Sequence, residues 1–382
     1  MSRTPAVHLK NSFPSRAVRK KKLLLNSLLA FISFAVSLCV AEFVLRVMPV
    51  TDKLGWVRIP SLSQRVKRFD KKTEIKVVAL GDSFVAWRTG EGVNMFDRIP
   101  RNILGREVSV LNLGVPGTDL KQYVGIYNNY VAFQPDYIFL CIFMGDDIKE
   151  YDDTDNSAVT DAFALPGRGW KKFFRRHSVL LNSLYRIAKK LGVIKSGVFD
   201  NNLCVLQKQY ALSDDFIALR KKEIDPHMLH LAQSDIVNPS IVAYGIVNPF
   251  YYKELFGMRS QYAHDAAETM ITLVKGFKAQ LKNTKLIVIL IPEILQVSQM
   301  GDSFFAKCGF DIENFPLWER RKAKRYIYDR LKEAGITVID VTPLLRESGD
   351  LYMSYDNHLN RKGHLIMGNF MTAVIAADIA KR

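Results

Sequence analysis

IKVVALGDSF, residues 75–84, joins an apolar run to a turn that ends in Gly81-Asp82-Ser83. Only Lys76 breaks the run, and its apolar residues do not alternate with polar ones, which is how a strand buried on both faces of a parallel sheet reads. Four similar runs follow: VSVLNLGV (108–115), DYIFLCIFM (136–144), KLIVILIP (285–292) and TVIDV (337–341). Each ends against Gly, Pro or Asp. Between and after them lie helical stretches, HDAAETMITLVKGFKAQLK (264–282), ERRKAKRYIYDRLKEAG (319–335) and GHLIMGNFMTAVIAADIAKR (363–382). Strands alternating with helices predict an α/β fold: a doubly wound, five-stranded parallel sheet with helices on both faces. Its ligands would bind beyond the carboxyl ends of the strands.

The composition agrees with a globular protein. The chain has 382 residues, 48% hydrophobic and 24% charged, and a formal charge of +16. These proportions exclude a disordered, collagenous or polytopic membrane protein. The charge is uneven: residues 1–22 form a basic arm holding Arg3, Lys10, Arg16, Arg19, Lys20, Lys21 and Lys22 with no acid, which leaves +9 elsewhere. Residues 23–45 follow as the one membrane-spanning candidate, about the ~20 residues that a bilayer core requires. The cations before it outnumber Arg46, Lys53, Arg58 and Arg65 after it, so the expected topology is single-pass, with a cytoplasmic N-terminus and the bulk of the chain in the periplasm or an equivalent compartment. The alternative, a signal peptide cleaved near Cys39 and Ala41, conflicts with an apolar stretch longer than the usual ~7–15 residues.

Residues 46–72 read as a connector, and 73–382 as the main domain with an insert at 151–263. The insert has no clear strand and contains amphipathic helices such as 173–192, which suggests a cap or substrate-binding element. Of the four cysteines, Cys39, Cys141, Cys204 and Cys308, only Cys204 and Cys308 suggest a pair, and no metal spacing occurs.

The turn after the first strand offers a serine hydroxyl, Ser83, at the sheet's reactive end. In SYDNHLNRKGH (354–364), Asp356 and His358 precede the last helix; the acid can orient the imidazole while the imidazole takes the serine proton. The alternative for Ser83 is a helix cap, and for His358 a surface group. Two further glycine-bearing blocks, VLNLGVPGTDL after the second strand and CIFMGDDI after the third, converge on the same edge. His364 reads as structural, and Trp87 as either cleft lining with Arg88 or core.

Together these blocks resemble the SGNH hydrolases, the GDSL esterase and lipase superfamily: Gly81-Asp82-Ser83, Asn112-x-Gly114-x-x-Gly117, Gly145-Asp146-Asp147 and Asp356-x-His358-Leu359-Asn360-x-x-Gly363. The resemblance covers residues 75–150 and 284–375. It implies a flavodoxin-like three-layer sandwich with Ser83 as nucleophile, His358 as base and Asp356 as orienting acid. It also implies an oxyanion hole from Ser83, Gly117 and the residue at 146, with Asp82, Asn112 and Asp147 holding the loops. No cofactor and no metal are implied, and the activity expected is removal or transfer of O-acetyl groups on a cell-surface polysaccharide.

One position departs from the pattern. Where the family carries Asn, this chain has Asp146, and an ionised carboxylate accepts hydrogen bonds but cannot donate them. Three readings follow: Asp146 is protonated, it points away, or catalysis is weak. The last leads to a second expectation, a binding module for glycan or a partner protein. A third uses the acids Asp146, Asp147, Glu150, Asp152, Asp153 and Asp155 as a divalent-cation loop with Asp153-Thr154-Asp155 as a DxD element, against the plainer reading of a solvated acidic loop. Lys171, Lys172, Arg175, Arg176, Lys189 and Lys190 are either a patch for an anionic polysaccharide or headgroup, or a solvated helix face; nucleic acid is not expected of an exported domain.

Overall fold

The computed structural model describes residues 16–47, 61–86, 93–148, 197–234, 236–354 and 356–381. Six strands form one sheet: β1 (Ile75–Leu80), β2 (Asn102–Ile103), β3 (Arg106–Asn112), β4 (Tyr137–Phe143), β5 (Lys285–Ile291) and β6 (Thr337–Asp340). Their order is β2-β3-β1-β4-β5-β6. Five are parallel, as the unbroken apolar runs predict, with Val77 of β1 level with Val110 of β3 and Tyr137 of β4.

The sixth strand corrects the five-stranded expectation. β2 is antiparallel to β3, pairing Asn102 with Glu107 and Ile103 with Arg106. The connection is Leu104-Gly105, with φ of 51° and 81°. Two positive φ values in a two-residue loop match the twist of a tight hairpin. A two-residue strand shows no hydrophobic period, so the run at 108–115 marked only its partner.

Alternate residues of each central strand enter different cores. Val78, Leu80, Ile138, Leu140, Val288 and Leu290 pack on one face with the helices Leu120–Tyr130, Gln261–Gln280 and Lys322–Glu333. Val77, Ala79, Phe139, Cys141, Ile287 and Ile289 pack on the other with Met367, Met371 and Ile375 of the helix Arg361–Ile379. The sheet is therefore the middle of three layers, and burial on both faces explains why its strands read without alternation.

The described part of the insert is helical: Val198–Gln209, Asp214–Glu223, Pro226–Gln233, Pro239–Val247 and Tyr251–Phe256. Its Phe199, Leu203, Ile217, Ile241 and Phe256 belong to the same core as one face of the sheet. The stretch 173–192, the basic residues from Lys171 to Lys190, Trp87, Arg88, and Glu150 through Asp155 lie outside the described residues.

Residues 23–45 fall within the helix Arg16–Val47. Phe31, Phe34 and Phe43 on it are exposed. Among the described residues no helix is long and apolar enough to cross a membrane. The four cysteines are free, so Cys204 and Cys308 do not pair.

Candidate active site

Chain order decides where the loops meet. β3 flanks β1 on one side and β4 on the other, so the connection leaving β1 runs to one side and the one leaving β3 crosses to the other, which opens a crevice at the strands' carboxyl ends, where such sheets place ligands. Ser83 begins a short helix, Ser83–Ala86, directly after β1. Gly114 allows the loop after β3 to lie against it: a Cβ there would stand 2.6 Å from the Ala86 nitrogen and from Val85 Cγ1.

Ser83, His358 and Asp356 come together. His358 Nε2 is 2.6 Å from Ser83 Oγ, and His358 Nδ1 is 2.6 Å from Asp356 Oδ1. With Nδ1 protonated toward the carboxylate, Nε2 is free to accept the serine proton. Phe84 stacks on the imidazole at 4.8 Å between centroids and on Phe143 at 4.2 Å, fixing the ring's plane. The loop carrying the pair is tied down locally. The Met353 N–H donates to the His358 carbonyl, and Asn360 donates through Nδ2 to Asp350 and Tyr352 while its Oδ1 caps the last helix at Gly363.

Burial opposes charge on His358, but the hydrogen bond and charge of Asp356, with Asp82 and Glu293 behind them, outweigh it and raise its pKa above 6.5. Asp82 is buried and accepts from the Phe84 N–H at 2.9 Å. Burial lifts its carboxyl from 3.8 to about 7, against the pull of that bond and of His358. Asp147, also buried, accepts from the Tyr123 hydroxyl at 2.8 Å and the Phe143 N–H at 2.7 Å, which pins the turn after β4; burial raises its pKa well above the ordinary value. Asn112 donates to the Val85 carbonyl at 2.8 Å and accepts from the Gly114 N–H at 2.9 Å.

Of the three expected oxyanion positions, Gly117 is exposed with φ of 71°. Among the described residues, the backbone N–H groups of Ser83 and Gly117 have no hydrogen-bond partner. Asp146 differs from both: its N–H donates to the Phe143 carbonyl at 3.3 Å, and its side chain is exposed. No cluster of three or more potential metal ligands occurs among the described residues.

Several residues of the site were not anticipated. Asn94 donates to the Val85 carbonyl at 2.6 Å beside Asn112, and Glu293 is wholly buried after β5. The position of Glu293 past a strand end was a usable signal; that of Asn94, in an irregular stretch, was not. His364 is buried, and burial together with His358 lowers its pKa to about 4, in keeping with a structural role. Near the β4 turn, Tyr210, Tyr251 and Tyr262 line a cleft of about 290 Å³ with Asn248, Glu254 and Ser260. The charge of Asp146 raises the pKa of Tyr251, after the larger effect of burial and that of Tyr244.

No family model and no curated protein matches the chain. Solved structures similar to it include two catalytic variants of Axe2, an acetylxylan esterase from Geobacillus stearothermophilus. Each has 11% identity and a TM-score of 0.37, over 79% of this chain and 94% of that one. A third Axe2 variant, described as an acetyl-xylooligosaccharide esterase from the same organism, has 12% identity and a TM-score of 0.35 over the same shares.

Proposed function

We propose that the chain is a serine ester hydrolase of the SGNH type, built on a flavodoxin-like three-layer sandwich. The observation that carries this is the relay from Ser83 Oγ to His358 Nε2 and from His358 Nδ1 to Asp356, each step 2.6 Å. In the proposed mechanism Ser83 Oγ attacks an ester carbonyl as His358 takes its proton, and Asp356 stabilises the resulting imidazolium. The Ser83 and Gly117 N–H groups, which have no partner among the described residues, receive the oxyanion. His358 then protonates the departing alcohol. Water, activated by the same imidazole, releases the acid from Ser83; a sugar hydroxyl in place of water makes the reaction a transfer.

The substrate class we favour is O-acetyl groups on a polysaccharide. The tyrosine-lined cleft supports this, since aromatic faces beside amide and carboxylate side chains suit a sugar ring's apolar face and hydroxyl rim. The exported topology enters the proposal through residues 23–45, as an anchor that holds the domain on the periplasmic side, where such a polymer is found. A binding module without turnover remains a second reading because Asp146, exposed and in the family's oxyanion position, supplies an acceptor where a donor is needed.

Turnover of p-nitrophenyl acetate by the full chain in detergent decides between them. Wild-type hydrolysis that falls at least 10³-fold in Ser83→Ala is expected of the triad. Equal rates for the two proteins would refute the esterase reading.

A further inference from the structure

Glu293 follows β5 in Ile291-Pro292-Glu293, at the same end of the sheet as Ser83 and His358, and its exposure is 0%. Oε1 accepts from the Ile294 N–H at 2.9 Å, and Oε2 from Asn357 Nδ2 at 3.0 Å. Asn357 is the residue between the two acid–base partners Asp356 and His358. On its other side Glu293 meets the turn after β4: a Cβ at Gly145 would lie 2.5 Å from Glu293 Oε2. The neighbouring Pro292 carbonyl accepts from Tyr352 at 2.8 Å, so the end of β5 grips the base-bearing loop at two points.

Burying a carboxylate costs several kcal/mol unless nearby groups compensate. Burial raises the Glu293 pKa to about 7, which Asn357, the Ile294 N–H and His358 oppose and Asp356 reinforces. The other titratable neighbours, Tyr252 and Tyr352, are neutral phenols held high by burial. His358 itself faces Asp356, Asp82, Glu293 and His364. A glutamine would fill the same space without the burial cost. A carboxylate here therefore points to a use for its charge, and the imidazole on which that charge acts is His358.

We propose that Glu293 is a positioning residue of the triad: it holds Asn357, and so the Asp356–His358 loop, in register with Ser83, and its charge supports the imidazolium formed when Ser83 is deprotonated. The proposal rests on the serine esterase reading. Its chemistry adds no step, since the proton still passes from Ser83 Oγ to His358 Nε2.

Two substitutions separate position from charge. Glu293→Ala removes both the acceptor for Asn357 and the charge. Glu293→Gln removes only the charge, because the glutamine carbonyl can accept from Ile294 while its amide donates to Asn357. That second bond uses Asn357 Oδ1, a buried atom without a hydrogen bond in the native site, after the Asn357 amide turns over. The pH dependence of kcat and KM would be measured for the full chain in detergent with p-nitrophenyl acetate, folding being checked by circular dichroism.

Glu293→Ala should lower kcat roughly 10²-fold with KM little changed, as expected when a supporting contact shifts a catalytic group. Glu293→Gln should keep kcat within about tenfold at its plateau and move the acidic limb down by on the order of one pH unit. An unmoved limb in Glu293→Gln, or a wild-type kcat in Glu293→Ala, overturns the proposal. Should Glu293→Ala fail to fold, Asn357→Ala asks the same positioning question from the other side of the bond. Ser83→Ala, assayed alongside, keeps the two claims apart. If it stays fully active, the esterase reading fails; if it is inactive while both Glu293 variants behave as wild type, only the role of Glu293 fails.

Discussion

Asp82→Asn should stabilise the protein, and by more at alkaline than at acid pH. Burial lifts the Asp82 carboxyl from 3.8 to about 7. The unfolded chain ionises near pH 4, whereas the folded chain keeps its proton until about pH 7. Across that window the folded state binds more protons, so raising the pH through it favours unfolding; above it the effect levels off. At about 1.4 kcal/mol per pH unit, folding against this carboxyl costs about 2 kcal/mol at pH 5 and about 4 kcal/mol at pH 8. Asparagine carries no charge, and its side-chain oxygen can still accept from the Phe84 N–H, the bond that shapes the Ser83 turn. The variant's advantage over wild type should therefore grow by about 2 to 3 kcal/mol between pH 5 and pH 8. Urea unfolding of both proteins at both pH values, in the same detergent, measures this. The pH dependence common to both proteins cancels in the difference, which leaves Asp82 together with its coupling to His358. An advantage that is equal at the two pH values would show that Asp82 does not titrate in this window.

Three further outcomes can be checked with the ester assay. The acidic limb of kcat/KM should have its midpoint above pH 6.5, because His358 acts when neutral and its pKa is raised; a midpoint at or below 6.5 would contradict the geometry. Asp356→Asn should cut kcat about 10⁴-fold, the scale of a triad that loses its orienting acid, and a tenfold loss or less would remove Asp356 from the relay. Asp146→Asn should raise kcat, by up to the 10² to 10³ that one oxyanion donor contributes; a slower variant would show that the carboxylate has a use of its own.

The parallel sheet was legible because strands buried on both faces lose their alternation, and the site was legible because its parts follow those strands. Ser83, the Asn112–Gly117 loop and the Gly145 turn each stand at such an end, as does Glu293, which the same rule should have drawn in; the Asp356–His358 pair lies between the helices Thr342–Glu347 and Arg361–Ile379 and was legible from its own spacing. What hid Glu293 is that a lone acid after a strand has no partner within reach along the chain: Asn357 lies 64 residues away. β2 was hidden by its length and Asn94 by its irregular surroundings. In the insert, Asp225-Pro226 and Asn238-Pro239 are helix starts, an acceptor side chain followed by proline in the first turn. Those signals place the helices, but not their packing into the core of the sheet, which depends on contacts distant in sequence.

Five carboxyl groups stand on the loops of this site, Asp82, Asp146, Asp147, Glu293 and Asp356, and three of them, Asp356, Asp82 and Glu293, act on the His358 imidazole. Were all ionised, their combined field would favour the imidazolium but oppose the oxyanion a few ångströms away. Burial eases the conflict for three of them, because Asp82, Asp147 and Glu293 are all held above the usual carboxylate range. Each of these accepts a backbone N–H, from Phe84, Phe143 and Ile294 respectively, and so shapes a loop of the site. Asp356 stands where the imidazolium needs an acceptor, at 2.6 Å from Nδ1. That leaves Asp146, which alone among the other four is exposed. Its charge is felt by buried neighbours, adding to burial in raising the pKa of Asp82, Asp147 and Tyr251, and a unit pair at 4 Å near a protein surface interacts by about 4 kcal/mol. Asp146→Asn would therefore both supply a donor and remove a repulsion, and its gain should measure the two together.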